Sequence, residues 1–230
     1  IMQYSKNFYQ IKSNEVIFEA IKDEIGHIGY YDLPLQDTNS FKNYAKDVEQ
    51  KDIAVIGIGG STLGTLAIYN FLKKANTYDK KLHFFESTDP MDIQARLQKM
   101  NLKDTLFIII SKSGTTIETI SLFKYFHSLT NIDKSNCVIV SEEKSKLTSY
   151  AKKHDMKTFD IPQNVGGRFS VFSAVGLLPL AIIGVDIDNL LNGAKKIRNS
   201  FFNKEEFYEP LMQKARFMVE NKTKFNINVL

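Results

Sequence analysis

"TLFIIISKSGTTIET", residues 105–119, runs from an unbroken apolar segment into hydroxyls, one lysine and one glycine, then into helical spacing. Apolar residues that do not alternate with polar ones belong to a strand covered on both faces, as in a parallel sheet. The spacing after the polar cluster predicts a helix over 115–129. The same unit recurs along the chain. "DIAVIGIG" (52–59) precedes a helix over 61–74, and "KLHFFES" (81–87) precedes one over 90–100. "NCVIVS" (136–141) precedes a helix over 144–154, and "MKTFDI" (156–161) is a last strand. Strands alternating with helices at this spacing build βαβ units and a parallel sheet.

The expected fold class is therefore α/β, a three-layer αβα sandwich on a five-stranded parallel sheet. Additional helices are predicted at 13–25, with Ser13 as N-cap, and at 40–49, 170–184, 186–200 and 204–221. The expected division is an N-terminal helical segment (1–45), a ligand-binding α/β domain (46–165) and a helical stretch (166–230). The chain opens with "IMQY" and stops on the apolar run "FNINVL" (225–230), which reads as a strand. These ends suggest a piece of a longer protein.

Composition narrows the function classes. A net charge of +4 is spread over lysine pairs such as Lys73-Lys74, Lys80-Lys81 and Lys152-Lys153 with acids between them, not gathered into a stripe for nucleic acid. The single cysteine, Cys137, sits in a predicted strand and reads as a buried, inert thiol; a reducing cytoplasm fits a chain that forms no internal disulfide. The longest apolar stretch, 171–185, contains Pro179 and two glycines and falls short of the roughly 20 residues a bilayer requires. It predicts a buried helix, and no membrane association is expected.

Ligands of such sheets sit beyond the carboxyl ends of the strands, where strand order reverses. Three loops there carry chemistry. "GIGGS" (57–61) brings glycines that let backbone approach a ligand, ahead of a helix N-terminus that attracts anions. It is neither a Walker loop nor a full dinucleotide fingerprint, because Thr62 stands where a third glycine is required. Glu86, ending the second strand, can mimic a ribose-binding acid, so a nicotinamide-dependent oxidoreductase stays open as an alternative. In 111–116, Ser111, Lys112, Ser113, Gly114, Thr115 and Thr116 combine hydroxyls, a cation and a bend. A helix cap needs one such residue, whereas a phosphate uses several. In "NVGGRFSVFS" (164–173), two glycines present Arg168, one of four arginines, to an anionic group or to helix carbonyls. The first and second loops share a ligand only if the first and third strands are neighbours, which favours the flavodoxin-like order 2-1-3-4-5. His27, His83, His127 and His154 are scattered without metal-ligand spacing, and neither Glu86 nor Glu118 has an evident catalytic partner.

Together, "GIGGSTLG", "SKSGTTIET" and "VGGRFSVFSAVGLLPLA" resemble the glucose-6-phosphate isomerase family of the sugar isomerase (SIS) superfamily, and "DEIGHIGYYDLP" (23–34) is similar to its short bacterial members. The resemblance covers roughly 13–230. It implies that Gly60 and Ser61 line a sugar-phosphate pocket, that Ser111, Lys112, Ser113 and Thr116 hold the phosphate with Thr119 close by, and that Gly167 and the catalytic Arg168 stand beside the reacting carbons. It implies interconversion of glucose 6-phosphate and fructose 6-phosphate through a cis-enediol, with no metal or organic cofactor, in a homodimer. The family's catalytic glutamate, ring-opening histidine and late lysine lie in a second SIS domain and C-terminal helix whose motifs these 230 residues lack. The expectation is thus a phosphate-binding half, inactive alone, with 166–230 leading to an absent second SIS domain. The alternative within the superfamily is a non-catalytic module that senses a sugar phosphate.

Overall fold

The computed structural model describes residues 14–223. Among them a five-stranded sheet forms from β1 (Asp52–Ile56), β2 (Lys81–Phe85), β3 (Thr105–Ile110), β4 (Cys137–Ser141) and β5 (Lys157–Asp160). The order is β2-β1-β3-β4-β5 and every pairing is parallel, as expected. In the central ladder Ile53 stands opposite Leu106 and Ile56 opposite Ile109.

Period-two alternation divides the strands between two cores. Ile53, Val55, Leu106, Ile108, Ile110, Val138 and Val140 face one side. There they meet α2 (Asn39–Lys46), α3 (Leu63–Leu72), α7 (Ala174–Ile182) and the start of α8 (Ile187–Phe202). Ala54, Ile56, Phe107, Ile109, Cys137 and Ile139 face the other side. They pack on α4 (Pro90–Leu97), α5 (Ile117–Leu129) and α6 (Lys146–Lys153). The three layers arise because the strands have no polar face.

The apolar stretch at 171–185 becomes α7, buried along nearly its whole length. Pro179 lies inside it. Proline has no N–H to give the carbonyl four residues back. That carbonyl, of Val175, instead accepts from the Thr65 hydroxyl of α3 at 3.3 Å.

A satellite core closes the far end. Phe18 of α1 (Glu15–Asp23) packs against Tyr208 and Met212 of α9 (Tyr208–Glu220). The cap expected of Ser13 is supplied by Asn14, whose side chain accepts from the backbone of Val16 and Ile17. Ser13 and the strand expected at 225–230 lie outside the described residues. Asp188 joins α2 to α8: its carboxylate accepts from Lys42 Nζ at 2.6 Å and from the Thr38 hydroxyl.

Cys137 is buried as expected, and burial pushes its thiol up to about 12. Among the described residues no helix is long and apolar enough to cross a membrane, and no cluster of His, Cys, Asp and Glu is placed to hold a metal.

Candidate functional site

Strand order reverses between β1 and β3, and the loops that leave them stand side by side. In the first, Gly59 has φ +58°, a conformation that suits glycine. Gly60 is packed against the third loop: a Cβ there would lie 2.3 Å from the Gly167 carbonyl oxygen. The Ser170 hydroxyl donates to the carbonyls of Gly167 at 2.7 Å and Gly60 at 3.4 Å, joining these loops by a second route. Thr62, fully buried, donates to Glu86 Oε2 at 2.8 Å, which occupies the acid that sequence leaves open for a ribose.

The second loop turns at Gly114, φ +66°, where a Cβ would press on the Ser145 side chain at 2.8 Å. Ser111 and Thr116 share a hydrogen bond between their hydroxyls at 2.9 Å. Thr116 is the N-cap residue of α5 yet makes no side-chain cap bond, so no hydroxyl of its own competes for the first-turn N–H groups. Those donors face the carboxyl ends of the strands with the positive end of the helix behind them.

The third loop is a 3-10 turn at Gly167–Phe169. It leans on the N-terminal segment: Gly29 N–H donates to the Asn164 carbonyl at 3.0 Å, and the Tyr30 and Phe169 rings lie 5.1 Å apart.

A cleft of about 410 Å³ opens where the loops meet, lined by Ile58, Gly60, Ser61, Lys112, Ser113, Thr116, Glu142 and Gly167. Six residues singled out from sequence are thus brought together: Gly60, Ser61, Lys112, Ser113, Thr116 and Gly167. Ser111 and Thr119 are each only 1% exposed and lie outside that lining. Among the described residues the Thr119 hydroxyl has no hydrogen-bond partner. Arg168 adjoins the cleft through its backbone, which packs on Gly60. Its side chain is exposed, and among the described residues the guanidinium makes no hydrogen bond or ion pair.

Lys112 is already engaged. Its ammonium donates to the Gln163 carbonyl at 2.9 Å and lies 3.3 Å from Glu142 Oε1. Sequence reasoning does not single out Glu142. Its one signal was position, directly after β4 at the edge where ligands bind. The neighbouring Asp160 carboxyl is held above its ordinary value by burial, with the charges of Glu143 and Glu142 adding to the effect. A larger groove, about 900 Å³, runs between α5 and α6; its surface is mostly apolar, and its polar residues, among them Lys124, His127 and Lys146, come from the two helices and the loop after β3, not from the loops after β1 and β5.

The profile of the family described as Phosphoglucose isomerase matches residues 36–219. The glucose-6-phosphate isomerase of Campylobacter jejuni is 36% identical over 220 residues, which cover 91% of this chain and 53% of that protein. Among solved structures, the hypothetical protein TT0462 from Thermus thermophilus aligns with a TM-score of 0.80 at 29% identity, covering 91% of this chain and 52% of that one. A glucose-6-phosphate isomerase from Chlamydia trachomatis aligns with a TM-score of 0.72 at 25% identity, covering 86% and 39%. The chain spans about half the length of the curated relatives it matches.

Proposed function

Because this chain belongs to the phosphoglucose isomerase family, we propose that it carries the phosphate-binding half of an aldose–ketose isomerase acting on glucose 6-phosphate and fructose 6-phosphate. The observation that carries this reading is the convergence of three loops on one cleft at the β1/β3 reversal, with Lys112 and Thr116, the N-cap residue of α5, in its lining.

A phosphate in the cleft takes hydrogen bonds from Ser113, Thr116 and the first-turn amides of α5, and charge from Lys112. Ser111 acts through Thr116, whose hydroxyl it fixes. Thr119 stands behind this group on α5. Gly60, Ser61 and Gly167 form the wall along which the sugar lies; their small size lets the carbon chain approach backbone. Arg168 reaches over the reacting carbons and stabilises the negative charge that develops on the cis-enediol, where a fixed cation lowers the barrier most. Moving the proton between C2 and C1 needs a positioned base. That base, and the histidine that opens the ring, belong to the second domain of the parent protein, to which 166–230 lead. The chain alone therefore binds substrate without turning it over. The same reading places the parent protein in the cytoplasm as a homodimer, and its chemistry calls for no metal or organic cofactor.

Each charge-assisted hydrogen bond contributes about 1.5–3 kcal/mol. Three or four of them, after association costs, leave roughly −4 to −8 kcal/mol, a millimolar to micromolar ligand. Calorimetric titration with fructose 6-phosphate tests this. Saturable heat is expected from the wild type and none from a Lys112→Ala, Thr116→Ala variant. Equal binding by both proteins would place the phosphate elsewhere.

A further inference from the structure

We infer that Glu142 is a specificity-determining residue of the cleft: it weakens binding of a bare oxyanion and accepts a hydroxyl hydrogen bond from a phosphorylated polyol. This rests on the reading of the cleft as a sugar-phosphate site.

A carboxylate is an unexpected wall for an anion site. Glu142 lines the same cleft as Lys112, Ser113 and Thr116. It is held there by its backbone. Its N–H donates to the Lys112 carbonyl at 3.1 Å, and its own carbonyl accepts from Ser145 N at 3.0 Å and from the Thr148 hydroxyl at 2.8 Å. The backbone therefore keeps the residue beside the cleft. Its side chain is 31% exposed and that of Lys112 is 29% exposed, so both charged ends reach the ligand space.

The carboxylate acts on a ligand in two ways. First, an ammonium has three N–H donors. Gln163 takes one of them, and the Glu142 carboxylate, 3.3 Å from the ammonium, offsets part of its charge before a ligand arrives. Second, a like charge at close range disfavours an incoming anion. Lys112, 3.3 Å away, offsets part of this charge, but the carboxylate itself still lines the cleft. Sulfate, which carries no hydroxyl at neutral pH, meets only the repulsion. A sugar phosphate meets it too, but its hydroxyls donate to the carboxylate, and a charge-assisted bond offsets the loss. Selectivity then comes from a repulsive element that only the correct ligand can satisfy.

The test is titration of sulfate and of fructose 6-phosphate into the full-length protein and its Glu142→Gln and Glu142→Asp variants. Glutamine keeps the shape and the backbone bonds and removes the charge. Sulfate is expected to bind Glu142→Gln about tenfold tighter, while fructose 6-phosphate gains less or loses affinity, so that the ratio of the two affinities falls about tenfold. Glu142→Asp, which keeps the charge, is expected to exclude sulfate as the wild type does. An unchanged ratio in Glu142→Gln, or tighter sulfate binding in Glu142→Asp, overturns the inference while leaving the phosphate site standing. Failure of fructose 6-phosphate to bind the wild type overturns the site reading, and this inference with it.

Discussion

Gly60 shows what a single residue decides here. Any side chain at this position starts 2.3 Å from one backbone atom of Gly167 and 2.6 Å from the next, and backbone has nowhere to fold away. Gly60→Ala is expected to part the first and third loops, at about 1–3 kcal/mol of stability. It should also abolish fructose 6-phosphate binding, because Ser61 and Gly167 then no longer share a wall. Urea melts and calorimetry on the same samples check both. Binding at wild-type affinity would mean that the loop contact is incidental to the site. The glycines and hydroxyls of the site were legible in sequence because each loop announces itself locally, as small and polar residues directly after an apolar run. Glu142 was not. A glutamate after a strand is ordinary, and only folding reveals that Lys112 is its neighbour.

At the level of elements, Pro179 and Thr65 form a unit that no local pattern predicts. The hydroxyl that meets the Val175 carbonyl comes from 110 positions away. Thr65→Val keeps the shape and removes the donor, leaving a buried carbonyl unpaired at a cost of about 1–3 kcal/mol. Pro179→Ala restores the helical N–H. In the Thr65→Val background it should recover most of the loss, and a double-mutant cycle by chemical denaturation measures the coupling. Additive effects would show that the hydroxyl does not serve that carbonyl. Element existence was fully legible: each strand and helix expected within 14–223 forms. Boundaries shifted where loop chemistry consumed residues that had been counted as helix. α5 begins at Ile117, not 115, since Thr115 N–H turns to the Ser113 hydroxyl and the Thr116 hydroxyl is held by Ser111. α7 begins at Ala174, not 170, since Ser170 to Ser173 close a turn at 2.8 Å and Ser173 caps the helix.

Across the whole molecule, ligand binding couples to stability. A ligand that binds only the folded chain at a hundred times its Kd adds about 2.7 kcal/mol. For a chain of 230 residues that raises Tm by roughly 5–11 °C. Fructose 6-phosphate should produce this shift in the wild type and none in Lys112→Ala, Thr116→Ala, as followed by circular dichroism. A shift that persists in the variant would point to binding outside the cleft. The strand order has one more implication, for how the sheet is made during synthesis. β2 pairs with β1, β3 takes the other side of β1, β4 adds to β3, and β5 adds to β4. Each arriving strand finds a free edge, and none must be threaded between two that are already joined. The chain can lay down its sheet in the order it is translated. The two edge strands of this sheet bear charge, Lys81 on one side and Lys157 and Asp160 on the other, which discourages a second molecule from continuing the row.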